Sequence, residues 1–400
     1  MAERIKALVE PNLLVWARET ASLTLEEAAK AYGVPAEKVE AWENGDDRPT
    51  MGQLKKIATA TKRPVPVFYL PAPPADFQPL RDFRRLSGIG ERRYSARLAY
   101  EIRAAQERRA TALNIFEMLG DEAENFGVSA QKSDDPEIVA AKVRARLGIT
   151  LDKQSRWGEP DKAFKAWREV IESAGVLVFV LGGAHHQVPL SEVRGFAIAE
   201  RSLPTVVVNG KDRTNGRIFT LMHEVGHVVL GESVIENEIE PNAAMPAPDR
   251  AIETFCNRFA ASVLMPRDAL FAEPIVAARI GARASWTDAE IVALSRRYCV
   301  SREALLLRLV ELGRADRALY QTKRLEYARQ YAALEEQVVS DDGGFAPYQY
   351  QVLGHLGRGF AGLVLQGYYN GRLTLSSVSG YLGTQAKNVP LIERAIFNVA

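Results

Sequence analysis

His223-Glu224-Val225-Gly226-His227 sets two histidines four positions apart, with a glutamate beside the first. On a helix, positions i and i+4 lie one turn apart on one face. Two imidazoles so placed reach one metal ion, and Glu224 on the neighbouring strip is set to hold and deprotonate a water there. Ile218-Phe219-Thr220-Leu221-Met222 before the motif and Val228-Val229-Leu230 after it are largely apolar. The spacing therefore predicts a buried helix whose histidines project into a site. Only five histidines occur in 400 residues, which makes an accidental match rare.

A catalytic zinc takes three protein ligands and leaves a position for water. A third histidine six residues past the motif is absent, since Leu230 and Ser233 stand where a glycine and a histidine would be needed. A glutamate from a following helix is the alternative. Glu253 is the best candidate, within Ile252-Glu253-Thr254-Phe255-Cys256-Asn257-Arg258-Phe259-Ala260-Ala261, whose apolar stripe marks a packed helix. Glu253 and Asn257 are one turn apart and face the same way. Glu232, Glu236, Glu238 and Glu240 compete from a polar, loop-like connection. Cys256 reads as a small buried hydrophobe. His185 and His186 are candidates for steadying an oxyanion in the transition state, and His355 has no partner in the sequence pattern.

The elements that must position these residues are legible in outline. A helix is expected over 214–230, stopped by Gly231, and another over 249–264, stopped by Pro266. Residues 176–181, 194–199 and 204–208 read as strands, the last expected to bind an extended substrate as an added strand. Towards the N-terminus, apolar residues recur at helical spacing from Leu13 to Ala58. Thr24 with Glu27 is a capping box, Gly33-Val34-Pro35 a tight turn, and Pro49-Thr50 a new start, giving four or five short helices. Pro64, Pro66, Pro71, Pro73 and Pro74 form a hinge. Residues 81–109 read as a basic helical stretch with nine arginines against four acids. Helices are expected over 136–147, 162–173, 268–312 and 315–338, with a break at Gly343-Gly344 and mixed short elements over 345–400.

With 47% hydrophobic and 25% charged residues, the composition is that of a globular protein, and the length implies several domains. The expected division is 1–70, 71–159, 160–314 and 315–400. A net charge of +1 excludes a strongly basic nucleic-acid coat. Two cysteines build no disulfide framework, no apolar run approaches ~18 residues, and the N-terminus leads into no signal core. A cytoplasmic protein with no membrane partner is expected.

Arg194-Gly195-Phe196, the strand at 204–209, Arg217-Ile218-Phe219-Thr220-Leu221 running into the histidine motif, and Ile252-Glu253 through Asn257 to Leu264-Met265-Pro266 together resemble the ImmA/IrrE metallo-endopeptidases. The resemblance covers roughly 160–312. It implies a small α+β zincin-like domain in a multidomain, mainly α chain. One Zn2+ would be held by His223, His227 and Glu253, with Glu224 as catalytic base. Leu25-Glu26-Glu27-Ala28-Ala29, Gly33-Val34, Trp42-Glu43-Asn44-Gly45 and Pro49-Thr50 resemble the XRE (Cro/repressor-like) helix-turn-helix family, an all-α bundle. The helix after the Gly33 turn would then enter the major groove. Asp82-Phe83-Arg84 after the hinge looks like the join in fusions of these two modules. The fusion implies a zinc endopeptidase coupled to a DNA-binding module, acting as a transcriptional regulator that cleaves a repressor or other regulatory protein. The rival is a DNA-binding regulator or antitoxin whose zincin fold captures a cognate toxin without proteolysis. Residues 1–70 carry ten basic and ten acidic residues, and the reading helix offers Glu37 and Glu40 beside Lys38. Such a neutral module binds phosphates weakly unless it forms a homodimer, with Lys38 and Arg48 as the candidate contacts.

Overall fold

The N-terminal helices follow their caps. In a computed structural model that describes residues 6–21, 23–74, 81–82, 95–183, 186–236, 246–279, 285–338 and 346–397, they are α1 (Pro11–Thr20), α2 (Leu25–Tyr32), α3 (Ala36–Glu43) and α4 (Met51–Thr61). The Thr24 side chain accepts from the Glu27 N–H, and the Glu27 carboxylate accepts from the Thr24 N–H at 2.9 Å. Thr50 and Gln53 repeat the device for α4. Gly33 ends α2 at φ +71°, a left-handed conformation that costs glycine little. Leu13, Ala17, Trp42, Leu54, Ile57 and Phe68 close the core of this unit. Burying each of the larger ones contributes about 1.5–3 kcal/mol. Arg18 joins α1 to the end of α3 through two bonds to Glu43, at 2.7 and 2.9 Å.

The next helices are α5 (Ala96–Leu119), α6 (Pro136–Arg146), α7 (Leu151–Ser155) and α8 (Pro160–Ser173). After them come α9 (Thr214–Leu230), α10 (Ala247–Leu264), α11 (Arg267–Ala272), α12 (Pro274–Ala277), α13 (Asp288–Tyr298), α14 (Arg302–Glu311) and α15 (Arg317–Val338). The C-terminal set is α16 (Tyr348–Leu356), α17 (Arg358–Tyr369), α18 (Leu375–Tyr381) and α19 (Val389–Phe397). Five strands, β1 (Arg81–Asp82), β2 (Leu177–Leu181), β3 (Gly195–Ile198), β4 (Thr205–Asn209) and β5 (Val234–Glu236), form one mixed sheet in the order β1-β5-β3-β4-β2. The fold is mostly helical with this one small sheet.

Helices cover both faces of the sheet. Val178, Val206 and Val208 share a core with Ile218, Leu221 and Val225 of α9 and with α10. Leu177, Phe179, Leu181, Phe196 and Val207 face a second core built by α5 and α16–α19. Double coverage is why the strands read as unbroken apolar runs instead of alternating. Among the described residues, no helix is long and apolar enough to cross a membrane.

Several expectations change. The basic stretch is not one helix: Arg81–Asp82 runs parallel to β5, and α5 begins only after the Ser95 cap. Asp82 is thus a strand residue, while Phe83, Arg84 and the rest of 83–94 lie outside the described residues, as do Gly343-Gly344. β4 pairs with β2 on one side and β3 on the other, so it has no free edge for a substrate strand. The outer edge of β2 is covered as well, because Arg168 donates to the Val178 carbonyl and His355 Nδ1–H to that of Val180. Helix α5 touches two units: Leu98, Ile102 and Ala105 enter the sheet core, and Arg103 donates to the carbonyls of Thr20 and Thr61 at 3.2 and 3.4 Å.

Candidate metal centre

Helices α9 and α10 pack closely because Gly226 presents no side chain to Cys256 and Phe259. That approach brings His223 and His227 of α9 against Glu253 of α10. The two Nε2 atoms lie 3.1 Å apart. Glu253 Oε2 is 3.2 Å from His223 Nε2, and Oε1 is 3.3 Å from His227 Nε2. All three side chains are buried, and their donor atoms lie within 4.8 Å of one another. Two imidazoles and one carboxylate are a donor set suited to a zinc-class ion. The residues present therefore fit the metal that the motif implies.

The Nδ1–H of His223 donates to Asn257 Oδ1 at 2.9 Å. This outer bond leaves Nε2 with its lone pair and fixes the ring's orientation. Burial holds the His227 imidazole below its ordinary pKa, so it stays neutral, the form that binds metal. Glu224 is buried on the strip facing β3, where a Cβ on Gly195 would fall 2.7 Å from its Oε1. Burial pushes its carboxyl up to about 8; His223 opposes the shift and Glu253 adds to it.

Of the competing glutamates, Glu232 sits in the turn after α9 and joins no cluster of potential ligands among the described residues. Glu236 lies in β5 instead of a loop, and Glu238 and Glu240 are outside the described residues. Cys256 is buried against Gly226. The structure does not bring His186 to this group: its Nδ1 lies 2.9 Å from Glu101 Oε1, and its ring stacks on His355. His185 is outside the described residues. Lys38 sits on α3 with Nζ 3.2 Å from Asp47, which Lys6 also engages. Arg48 is exposed between α3 and α4. In the sequence Asn257 stands out only by its spacing from Glu253; its bond to His223 arises from the packing of α10 on α9.

Residues 172–310 match the family described as the IrrE N-terminal-like domain, and residues 14–68 match a helix-turn-helix family. Joined in one chain, these are a DNA-binding type of module and a peptidase-family module. The radiation response metalloprotease IrrE of Deinococcus radiodurans is 32% identical over 107 residues. That match covers 26% of this chain and 30% of the relative, so the chain spans less than a third of the relative's length. No solved structure matches. The chain carries an ImmA/IrrE-type peptidase-family domain behind an XRE-type helix-turn-helix domain.

Proposed function

We propose that this chain is a zinc-dependent endopeptidase coupled to a DNA-binding module, regulating transcription by cleaving a repressor or other regulatory protein. The observation that carries the reading is the meeting of His223, His227 and Glu253 from two helices, with Glu224 alongside. The units that go with it are 1–70 for DNA, 160–314 for catalysis, and 71–159 and 315–400 as helical pieces bracing the sheet.

In this reading His223, His227 and Glu253 hold one zinc ion. When bound, zinc supplies Lewis acidity, polarising a carbonyl and acidifying a water. Glu224 does the proton work: its carboxylate takes a proton from the attacking water and passes it to the departing amine. Asn257 keeps His223 aimed. Burial around α9 and α10 limits competing water.

Metal analysis of the purified full-length chain tests the reading, with His223→Ala as control. Stoichiometric zinc that falls by one equivalent in the variant is expected. Equal zinc content in the two proteins would remove the peptidase assignment.

A further inference from the structure

A second cluster of metal-ligating side chains lies on the opposite face of the sheet. Glu101 comes from α5, His186 from the segment after β2, and His355 from α16. One donor atom of each lies within 4.8 Å of the others. Nothing in the proposed peptidase chemistry uses them. We infer that Glu101, His186 and His355 form a second metal site, selective for a zinc-class divalent cation, that fastens the C-terminal helices to α5 across the edge of the sheet.

The His355 ring is prepared as a ligand. Its Nδ1–H donates to the Val180 carbonyl at 2.6 Å. The proton is thereby placed on Nδ1, and the Nε2 lone pair is left buried with no hydrogen-bond partner. Backbone carbonyls hold metal-binding imidazoles in this way, fixing tautomer and orientation. Glu101 is 1% exposed. Its Oε1 meets His186 Nδ1 at 2.9 Å, while Oε2 is buried without a partner. Buried polar atoms are nearly always paired, so two orphans in one cluster need an explanation. A single cation satisfies both.

The two rings stack at 3.8 Å and 13°. Two rings bound to one ion cannot lie face to face, so the His186 ring turns out of the stack as the ion enters, while the bond to the Val180 carbonyl keeps the His355 ring in place. The cluster's charge also limits the ion. Arg108 lies half-buried over the Phe179 ring and interacts with Glu101, and Arg168 also acts on His355. These guanidiniums offset the lone carboxylate, so charge alone does not draw a cation in. Calcium and magnesium need oxygen-rich sites and are disfavoured, whereas zinc-class ions bond imidazole nitrogen directly.

The test uses the full-length chain stripped with a chelator and titrated with Zn2+ alone, counting bound equivalents and following the melting temperature. Two equivalents are expected for the wild type, and one each for Glu101→Gln and His355→Gln, with the second affinity weakened more than ~100-fold. His227→Ala keeps one equivalent, which Glu101→Gln then removes. Should His355→Gln fail to fold, the near-isosteric Glu101→Gln carries the comparison. Equal stoichiometry and affinity in wild type and Glu101→Gln overturns the assignment. A single wild-type equivalent kept by His227→Ala and lost in Glu101→Gln upholds this site and removes the peptidase reading. The opposite pattern keeps the peptidase reading and removes this site.

Discussion

Gly226 lies between the two histidines of α9, and Gly226→Ala sets two effects against each other. Alanine favours a helix interior by about 1 kcal/mol over glycine, so local propensity alone predicts a gain. The packing predicts a loss. A Cβ at Gly226 would lie 3.1 Å from Phe259 Cδ1, 3.2 Å from Cys256 Cα and 3.2 Å from Cys256 Sγ. The Phe259 ring can swing aside, but Cys256 Cα is the backbone of α10, less than one turn from Glu253. Relief therefore moves α10 by a few tenths of an ångström. Overpacking of this kind costs about 1–3 kcal/mol. The net is a loss of about 0–2 kcal/mol, or a few degrees in melting temperature. The effect at the site is sharper, because metal–ligand distances tolerate only about 0.2 Å. Zinc affinity should fall about tenfold or more, about 1.4 kcal/mol. Competition with a chromophoric chelator and calorimetry on the same preparation measure both quantities. A Gly226→Ala protein that melts higher and holds zinc as tightly as the wild type would refute the idea that this glycine sets the helix spacing.

Gly195→Ala drives a Cβ to within 2.7 Å of Glu224 Oε1 and 2.9 Å of the Val207 carbonyl. It should cost about 1–3 kcal/mol by urea denaturation, and wild-type stability would contradict that geometry. Glu224→Gln should keep zinc at full stoichiometry while peptide hydrolysis falls about 10²–10⁴-fold, read by single-turnover cleavage; unchanged turnover removes its role as base. Asn257→Ala should weaken zinc about 10–100-fold without unfolding the chain, and unaltered affinity means that the bond to His223 is incidental. Asp47→Asn should free Lys38, strengthen nonspecific DNA binding, and steepen log K against log salt by about 0.9 per added phosphate contact. A flat salt response would separate Lys38 from DNA altogether.

Local signals reached the helices of the bundle and of the site because each carries its own punctuation. Thr24 and Glu27, Gly33, Gly231 and Pro266 act within one turn of chain, so their effects are visible in order. The histidine spacing and the apolar stripe around Glu253 are likewise local, which is why these three residues were singled out from sequence. Long-range pairing was not legible. β1 and β5 are two and three residues long and join segments about 150 positions apart. No periodicity builds up in so few residues. The central place of β4 was hidden for the same reason: an apolar strand reads alike at an edge or in the middle. His355 lacked a partner in sequence because Glu101 and His186 reach it only after three distant elements meet.

Helix α5 is held from two sides near its start. Arg103 reaches the helix-turn-helix bundle, while Glu101, two residues earlier, sits in the imidazole cluster. The bundle and the sheet core thus meet on a single short stretch of one helix. Truncating Arg103 would cut the two carbonyl bonds from α5 to the bundle and leave the sheet-side packing of Leu98, Ile102 and Ala105 in place.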